Sequence, residues 1–113
     1  MKTVADAIRR VRDNIQDSPL PYRYSNDSMV PYADDAQQEV WRRRPDSTMW
    51  TTILTDPPAT IATATQQFQV DDRYLTAIAA YMSACILRQD SDNTVNDSRA
   101  QYWMSEFERL VVL

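Results

Sequence analysis

Apolar side chains recur at the three- and four-residue spacing of an α-helix in four separate stretches of this 113-residue chain. The first stretch begins after Thr3, a residue suited to cap a helix N-terminus, and ends before Pro19. The second begins after Ser25 and ends at Pro45, which cannot continue a helix. Pro31 interrupts this second stretch, so we expect a kink, or a short opening turn followed by a restarted helix.

Two further helices are predicted in the second half of the chain. The third begins at Asp71 or Asp72, ends at about Gln89 and is apolar almost all round, which is the pattern of a helix at the centre of a domain. The fourth begins near Thr94 or Asn96. Its inward face is predicted to carry Ala100, Trp103, Phe107, Leu110 and Val111. We therefore expect a mainly α fold, a small four-helix bundle, in a single domain spanning residues 1–113.

Residues 48–70, between the second and third helices, follow a different pattern. Threonine and β-branched residues dominate two runs on either side of Asp56-Pro57-Pro58, and Asp56 is the only charged residue in the segment. The pattern predicts an extended β-hairpin or a protruding arm. Two interpretations remain open, a hairpin buried on the helices and a contact with another protein chain.

Composition argues against enzyme chemistry. The chain has no glycine, which phosphate-binding loops require, and no histidine, which the common catalytic triads and many metal sites use. Its single cysteine, Cys85, falls on an apolar stripe, so we interpret it as a small buried hydrophobe. The run 90–94 begins like a calcium-binding loop, but Val95 stands where that loop needs glycine and Gln101 where it needs glutamate. We expect no catalytic, cofactor-binding or metal site.

Charge is distributed unevenly along the chain. The net charge is −4, and residues 1–44 carry eight basic and seven acidic side chains, whereas residues 45–113 carry four basic and nine acidic. Such a chain is not a general nucleic-acid binder, because that affinity rests on clustered Lys and Arg. No apolar run is long enough to cross a membrane, and one cysteine cannot form an internal disulfide. We therefore expect a cytosolic, reducing setting.

The second helix ends in three arginines, Arg42, Arg43 and Arg44. Positive charge at the end of a helix is favoured by the helix dipole, by about 0.3 to 1 kcal/mol. Successive helical residues point in directions about 100° apart, so the three cannot all serve one surface, and we expect at least one of them to contact another chain. We interpret four aromatic residues as core or protein-interface anchors: Trp41, Trp50, Tyr102 and Trp103.

Four motifs follow one another along the chain. They are 3–6 (TVAD), 24–47 (YSNDSMVPYADDAQQEVWRRRPDS), 68–90 (FQVDDRYLTAIAAYMSACILRQD) and 100–110 (AQYWMSEFERL). In this order they resemble the head–tail adaptor proteins of tailed bacteriophages, most of all through the Asp-Asp-Ala-Gln-x-Glu middle and the Arg-x-Arg-Pro-Asp end of the second motif. Pro31 and Arg43 depart from the family pattern, which normally has a non-proline and an apolar residue at these positions.

The resemblance implies a structural virion protein of the neck, at the head–tail interface, assembled in the cytoplasm of the host bacterium. Such a protein forms a homo-oligomeric ring, usually a dodecamer, that binds the portal protein and a tail or nozzle protein. Genome DNA passes through its channel without sequence-specific binding, and the protein is not an enzyme and binds no cofactor. We expect the subunit or portal and tail contacts to include Arg42, Arg43, Arg44, Trp50, Ile53, Leu54 and Ile61.

An alternative function is also compatible with the residues. The chain could be a small soluble helical protein–protein interaction module or regulator that binds another protein through the nearly uncharged 48–70 segment. A symmetric ring on the portal would distinguish the adaptor from this alternative.

Overall fold

A computed structural model gives the fold and describes residues 2–15, 26–44, 60–70, 72–89 and 94–112. This part of the chain forms four helices: α1 (Val4–Ile15), α2 (Asn26–Arg43), α3 (Leu75–Gln89) and α4 (Thr94–Val112). A short 3₁₀ turn, Asp72–Tyr74, leads into α3. The prediction of a mainly α fold is confirmed. Pro31 lies inside α2, which is one continuous helix and does not restart after the proline.

α3 lies at the centre and contacts each of the other three helices. Its buried residues cover most of its circumference: Leu75, Ala77, Ile78, Ala79, Ala80, Met82, Ser83, Ala84, Ile86 and Leu87. The buried Ser83 hydroxyl donates to the carbonyl of Ala79 at 2.8 Å and accepts from the side-chain amide of Asn14 at 3.2 Å. The central position predicted for this helix is confirmed. Its many small side chains let the neighbouring helices pack closely against it.

The start of α1 is capped as its sequence predicts. The backbone N–H of Thr3 donates to the carboxylate of Asp6 at 3.0 Å, and the backbone N–H of Asp6 lies 3.4 Å from the Thr3 hydroxyl. This reciprocal pair is a capping box, which satisfies amides that have no partner within the helix. The hydrogen bond from the Thr3 amide lowers the pKa of Asp6.

The predicted β-hairpin between α2 and α3 has no counterpart in the described residues. Positions 48–59 lie outside them. Residues 60–70, which we call the strap, contain no strand, and their β-type contact is an isolated antiparallel bridge between Thr3 and Gln67. The strap carbonyls pair with the beginning of a helix and not with a second strand, which explains why no described ladder forms there.

The strap lies across the N-terminal end of α1. Three backbone hydrogen bonds join them: Val4 N–H to Gln66 O at 2.9 Å, Ala5 N–H to Ala64 O at 2.9 Å, and Phe68 N–H to Lys2 O at 3.0 Å. The first two satisfy amides that the first turn of a helix leaves unpaired. The strap therefore completes the cap that Thr3 begins.

Two side chains of α2 hold the strap from the other side. The Asp34 carboxylate accepts the backbone N–H of Ile61 at 3.1 Å, and the Gln37 side-chain oxygen accepts the backbone N–H of Gln69 at 2.8 Å. Gln37 is fully buried. Because a buried polar group is costly unless it is hydrogen-bonded, this contact fixes where the strap meets α2.

Candidate protein-interaction site at the end of α2

The predicted interaction site begins in the last turn of α2. Glu39 precedes Arg42 and Arg43 by three and four residues, and its carboxylate contacts both guanidinium groups. Arg42 Nη1 bonds to one Glu39 oxygen, and Arg43 Nε lies 3.6 Å from the other. The Arg42 side chain is 69% exposed, the Arg43 side chain 42% and the Glu39 side chain 21%. Glu39 therefore orients two arginines from a position close to the bundle surface.

Arg43 makes its second contact inside the chain. Its guanidinium lies over the ring of Phe107 on α4, 5.3 Å from the ring centroid. The Phe107 ring is fully buried and meets the ring of Tyr81 at a centroid distance of 5.0 Å and an interplanar angle of 64°. Arg43, one of the two residues that depart from the adaptor pattern, thus covers an aromatic core residue by a cation–π contact.

Arg44 also reaches α4. Its Nη1 donates to the backbone carbonyl of Val111 at 3.5 Å, in the last turn of that helix. Carbonyls in the last turn have no partner within the helix, and a cation there complements the helix dipole. Arg43 and Arg44 therefore connect the end of α2 to the end of α4.

The other predicted site residues divide into two groups. Ile61 is buried, with 4% of its surface exposed, and its backbone N–H is bound by Asp34. Trp50, Ile53 and Leu54 lie outside the described residues. The structure thus ties Arg43 and Arg44 to α4, holds the exposed Arg42 on Glu39, and places Ile61 in the strap.

Two features of this end of α2 were not singled out from the sequence. Glu39 was not named, although glutamate three or four residues before arginine is a known helical pairing pattern. The indole N–H of Trp41 is buried and has no hydrogen-bond partner in the described part of the chain. An unpaired buried donor is uncommon in a folded protein, and nothing in the spacing of apolar residues indicates it.

An exposed aromatic residue lies on α4. Tyr102 is 57% exposed and packs edge-on against the partly buried Trp103, with ring centroids 5.0 Å apart. Trp103 packs against the core, so the interpretation of it as an anchor is confirmed. The exposed Tyr102 ring has the amphipathic character common in protein interfaces.

No group of three His, Cys, Asp or Glu residues suited to hold a metal ion occurs in the described part of the chain. A shallow cleft at the strap is open to solvent and encloses no space large enough for a water molecule. The cleft is lined by Lys2, Phe68, Val70, Asp72, Leu75 and Ile78.

We expect Cys85 to be a slow nucleophile in the folded protein. Burial raises the pKa of its thiol, and the nearby Arg88 opposes this only in part. Because the thiolate is the reactive form, a raised pKa leaves less of it at neutral pH, and the reaction should accelerate as the pH rises toward that pKa. Reaction with a thiol-specific chromogenic reagent should be several-fold slower in native protein than in urea-unfolded protein at the same pH. Equal rates would contradict this expectation.

None of the described helices is both long enough and apolar enough to cross a membrane. At the end of α2, two arginines are tied to α4 and one is exposed beside them. Comparison of the chain with family models, curated proteins and solved structures finds no match in any of the three.

Proposed function

We propose that this protein is a head–tail adaptor of a tailed bacteriophage, a structural protein that forms a ring under the portal, connects the capsid to the tail and lines the DNA channel. The proposal rests on four adaptor-like motifs that follow one another along the chain. The second motif falls on α2, the third on the end of the strap and α3, and the fourth on α4. Its partners are the portal protein, a tail or nozzle protein and further copies of itself.

The observation that carries the proposal is that both ends of the segment between α2 and α3 are attached to the helical bundle. Arg44, on one side of positions 45–60, is bound to α4, and Ile61, on the other side, is bound to Asp34 of α2. Asp34 lies ten positions before Arg44, or about 15 Å along a helix. The bundle thus holds both ends of a nearly uncharged segment, which we propose as the arm, a β-hairpin or extended structure that contacts a neighbouring subunit or the portal.

In this proposal the protein acts by forming non-covalent contacts between subunits and not by catalysing a reaction. Apolar and aromatic residues of the arm, among them Trp50, Ile53 and Leu54, supply the buried centre of the contact, and arginines at the end of α2 supply its polar margin. A ring requires contacts between two different surfaces of the subunit that close after a full rotation.

A second candidate, a helical interaction module that acts without forming a ring, is favoured by the exposed Tyr102 on α4. Negative-stain microscopy and light scattering of the protein with and without the portal protein of its own phage separate the two. A symmetric ring on the portal supports the adaptor. A protein that stays monomeric with the portal present contradicts the adaptor and favours the module.

Excision of the arm tests the proposal more sharply. We expect a variant in which a short Gly-Ser linker replaces residues 48–58 to fold as a helical monomer with an unchanged melting temperature but to lose binding to the portal. A few linker residues are enough, since each extended residue spans about 3.3 Å and the anchors are about 15 Å apart along α2. Thermal melting by circular dichroism and co-sedimentation with the portal measure the two effects.

The matched control for this excision is a larger deletion, of residues 48–65. That deletion also removes Ile61 and the Ala64 carbonyl that accepts the amide of Ala5, so it should lower the melting temperature as well. Full portal binding by the 48–58 variant would contradict the assignment of the arm as the contact.

A further inference from the structure

The arginines at the end of α2 carry more positive charge than their shared carboxylate compensates. Glu39 is the acidic group that both Arg42 and Arg43 contact. Arg43 is also placed over the Phe107 ring inside the chain, whereas the Arg42 side chain is 69% exposed. The excess charge therefore faces outward on Arg42, in an orientation that Glu39 holds.

Asp13 is an exposed carboxylate at a position in α1 that is unfavourable for a negative charge. It lies in the last turn of α1, where the helix dipole favours a cation and opposes an anion. No hydrogen bond or ion pair joins the Asp13 side chain to another described residue. Arg9 lies four residues before it, which is the weaker order for a helical ion pair, and Arg10 donates to the Thr76 hydroxyl instead. Within the described part of one copy, Asp13 therefore has little to stabilise it.

Other acidic side chains in the described residues are less suited to meet Arg42 of another copy. Four of them already accept hydrogen bonds or pair with arginine within the chain: Asp6, Asp34, Asp72 and Glu106. Asp27 lies in the first turn of α2, where the dipole favours it. Asp35 and Glu108 are exposed, but Asp35 lies on α2 itself, and Glu108 lies at the end of α4 that the arginines contact. Of the described exposed carboxylates that lie away from the arginines, Asp13 is the one that neither its helix dipole nor a hydrogen bond within the described residues favours.

Asp13 and Arg42 lie toward opposite ends of α4. Arg99, near the beginning of α4, donates to the backbone carbonyl of Asn14, the residue that follows Asp13, at 3.4 Å. Arg44, two residues after Arg42, binds the carbonyl of Val111. Val111 lies twelve residues after Arg99, or about 18 Å along a helix. The subunit thus presents a cation at one end of α4 and an anion beside the other.

We infer that Arg42 of one copy of this chain binds the carboxylate of Asp13 on the next copy. The inference rests on the proposed ring, in which each contact joins two different surfaces of the subunit. A cation and an anion at opposite ends of one helix provide such a pair. Because each copy carries a net charge of −4, copies repel one another unless opposite charges meet at the contact.

A charge exchange tests this pairing. Arg42→Asp and Asp13→Arg should each reduce ring formation on the portal about tenfold or more, because each leaves two like charges facing one another. The double variant Arg42→Asp with Asp13→Arg should restore the ring, since it reverses the pair and keeps the attraction. The ring yield is measured by microscopy and light scattering at low and high salt, and high salt should weaken the defect of the single variants.

Two controls separate the pair from changes in total charge and in folding. Arg42→Asp combined with Asp27→Arg has the same net charge as the exchange but reverses an exposed carboxylate at the far end of α2, so it should not restore the ring. Asp13→Arg places a cation where the dipole of α1 favours one, and repulsion from Arg9 one turn earlier offsets this gain, so its melting temperature should stay close to that of the wild type. Its loss of rings therefore could not come from unfolding.

The outcomes of the exchange distinguish the pairing from the adaptor function. Normal rings from Arg42→Asp, or no rescue by the exchange variant, would overturn the pairing while leaving the adaptor function in place. Restoration of the ring by Arg42→Asp with Asp27→Arg would also overturn the pairing, because only the total charge would then matter. A wild-type protein that forms no ring with the portal would overturn both.

Discussion

Phe107→Ala should lower the free energy of unfolding by about 3 to 5 kcal/mol, the loss typical of a large aromatic residue truncated in a core. Phe107 is fully buried on α4, where its ring meets the edge of Tyr81 and lies under the guanidinium of Arg43. The substitution removes the aromatic contact and leaves a cavity between α3 and the end of α2. Arg43 would also lose the ring over which it lies. Urea denaturation followed by circular dichroism measures the change.

Tyr102→Ala provides the matched control, because it removes another aromatic ring from the same helix. Tyr102 is 57% exposed, so its truncation should change the free energy of unfolding by less than about 1 kcal/mol. Equal losses from the two substitutions would mean that the buried Phe107 ring contributes no more to stability than an exposed ring. Loss of portal binding by Tyr102→Ala alone would place the exposed ring in an interface.

The features that the sequence predicted well are local. Thr3 and Asp6 lie three residues apart, and that spacing is sufficient to predict a capping box. The periodic apolar positions of α2 are all buried, because a helix face is determined by residues within a few turns of one another. These positions are Met29, Ala33, Ala36 and Val40. Of the two outcomes expected at Pro31, the restarted helix does not occur, since α2 runs through the proline as one helix. Pro31 is exposed, so its ring lies outside the core, and the helix loses only the hydrogen bond that an N–H at this position would make to the carbonyl of Asp27.

The strap could not be predicted because its contacts are distant in sequence. Threonine-rich, β-branched residues favour extended backbone, but whether an extended segment pairs with a strand or caps a helix depends on what lies beside it. Gln37 binds the amide of Gln69, 32 residues away, and nothing in the pattern around Gln37 indicates this. Ile61 stood out in the sequence as an apolar residue available for contact with another protein, yet it is buried against its own chain.

The arginine triplet was predicted in part. Helical geometry indicates that Arg42, Arg43 and Arg44 point in different directions, and the structure gives each of them a different set of contacts. Arg42 pairs with Glu39, Arg43 also covers Phe107, and Arg44 binds a carbonyl of α4. The sequence could not identify the two contacts with α4, since they depend on where a helix more than 60 positions later returns to α2. Whether these residues also contact another chain stays a prediction.

Phe68→Ala should have a similarly large effect, about 3 to 5 kcal/mol, and should act first on the strap. Phe68 is 2% exposed and is the largest side chain by which the strap enters the core. Its removal should loosen the carbonyls of Ala64 and Gln66 from the amides of Ala5 and Val4. Those two amides should then lose protection from hydrogen exchange before the amides of α3 do, because a segment with fewer buried contacts opens locally.

Gln67→Ala is the control, because it truncates a side chain of the strap next to Phe68 without removing a backbone contact of the strap. Gln67 is exposed, and its backbone bridge to Thr3 does not depend on its side chain, so both stability and amide protection should remain close to those of the wild type. In the Phe68→Ala variant, exchange of the Val4 and Ala5 amides at the same rate as those of α3 would mean that the strap and the bundle unfold as one unit. Early loss of protection at those two amides would mean that the strap detaches by itself, so that the anchor of the arm at Ile61 depends on Phe68 as well as on α2.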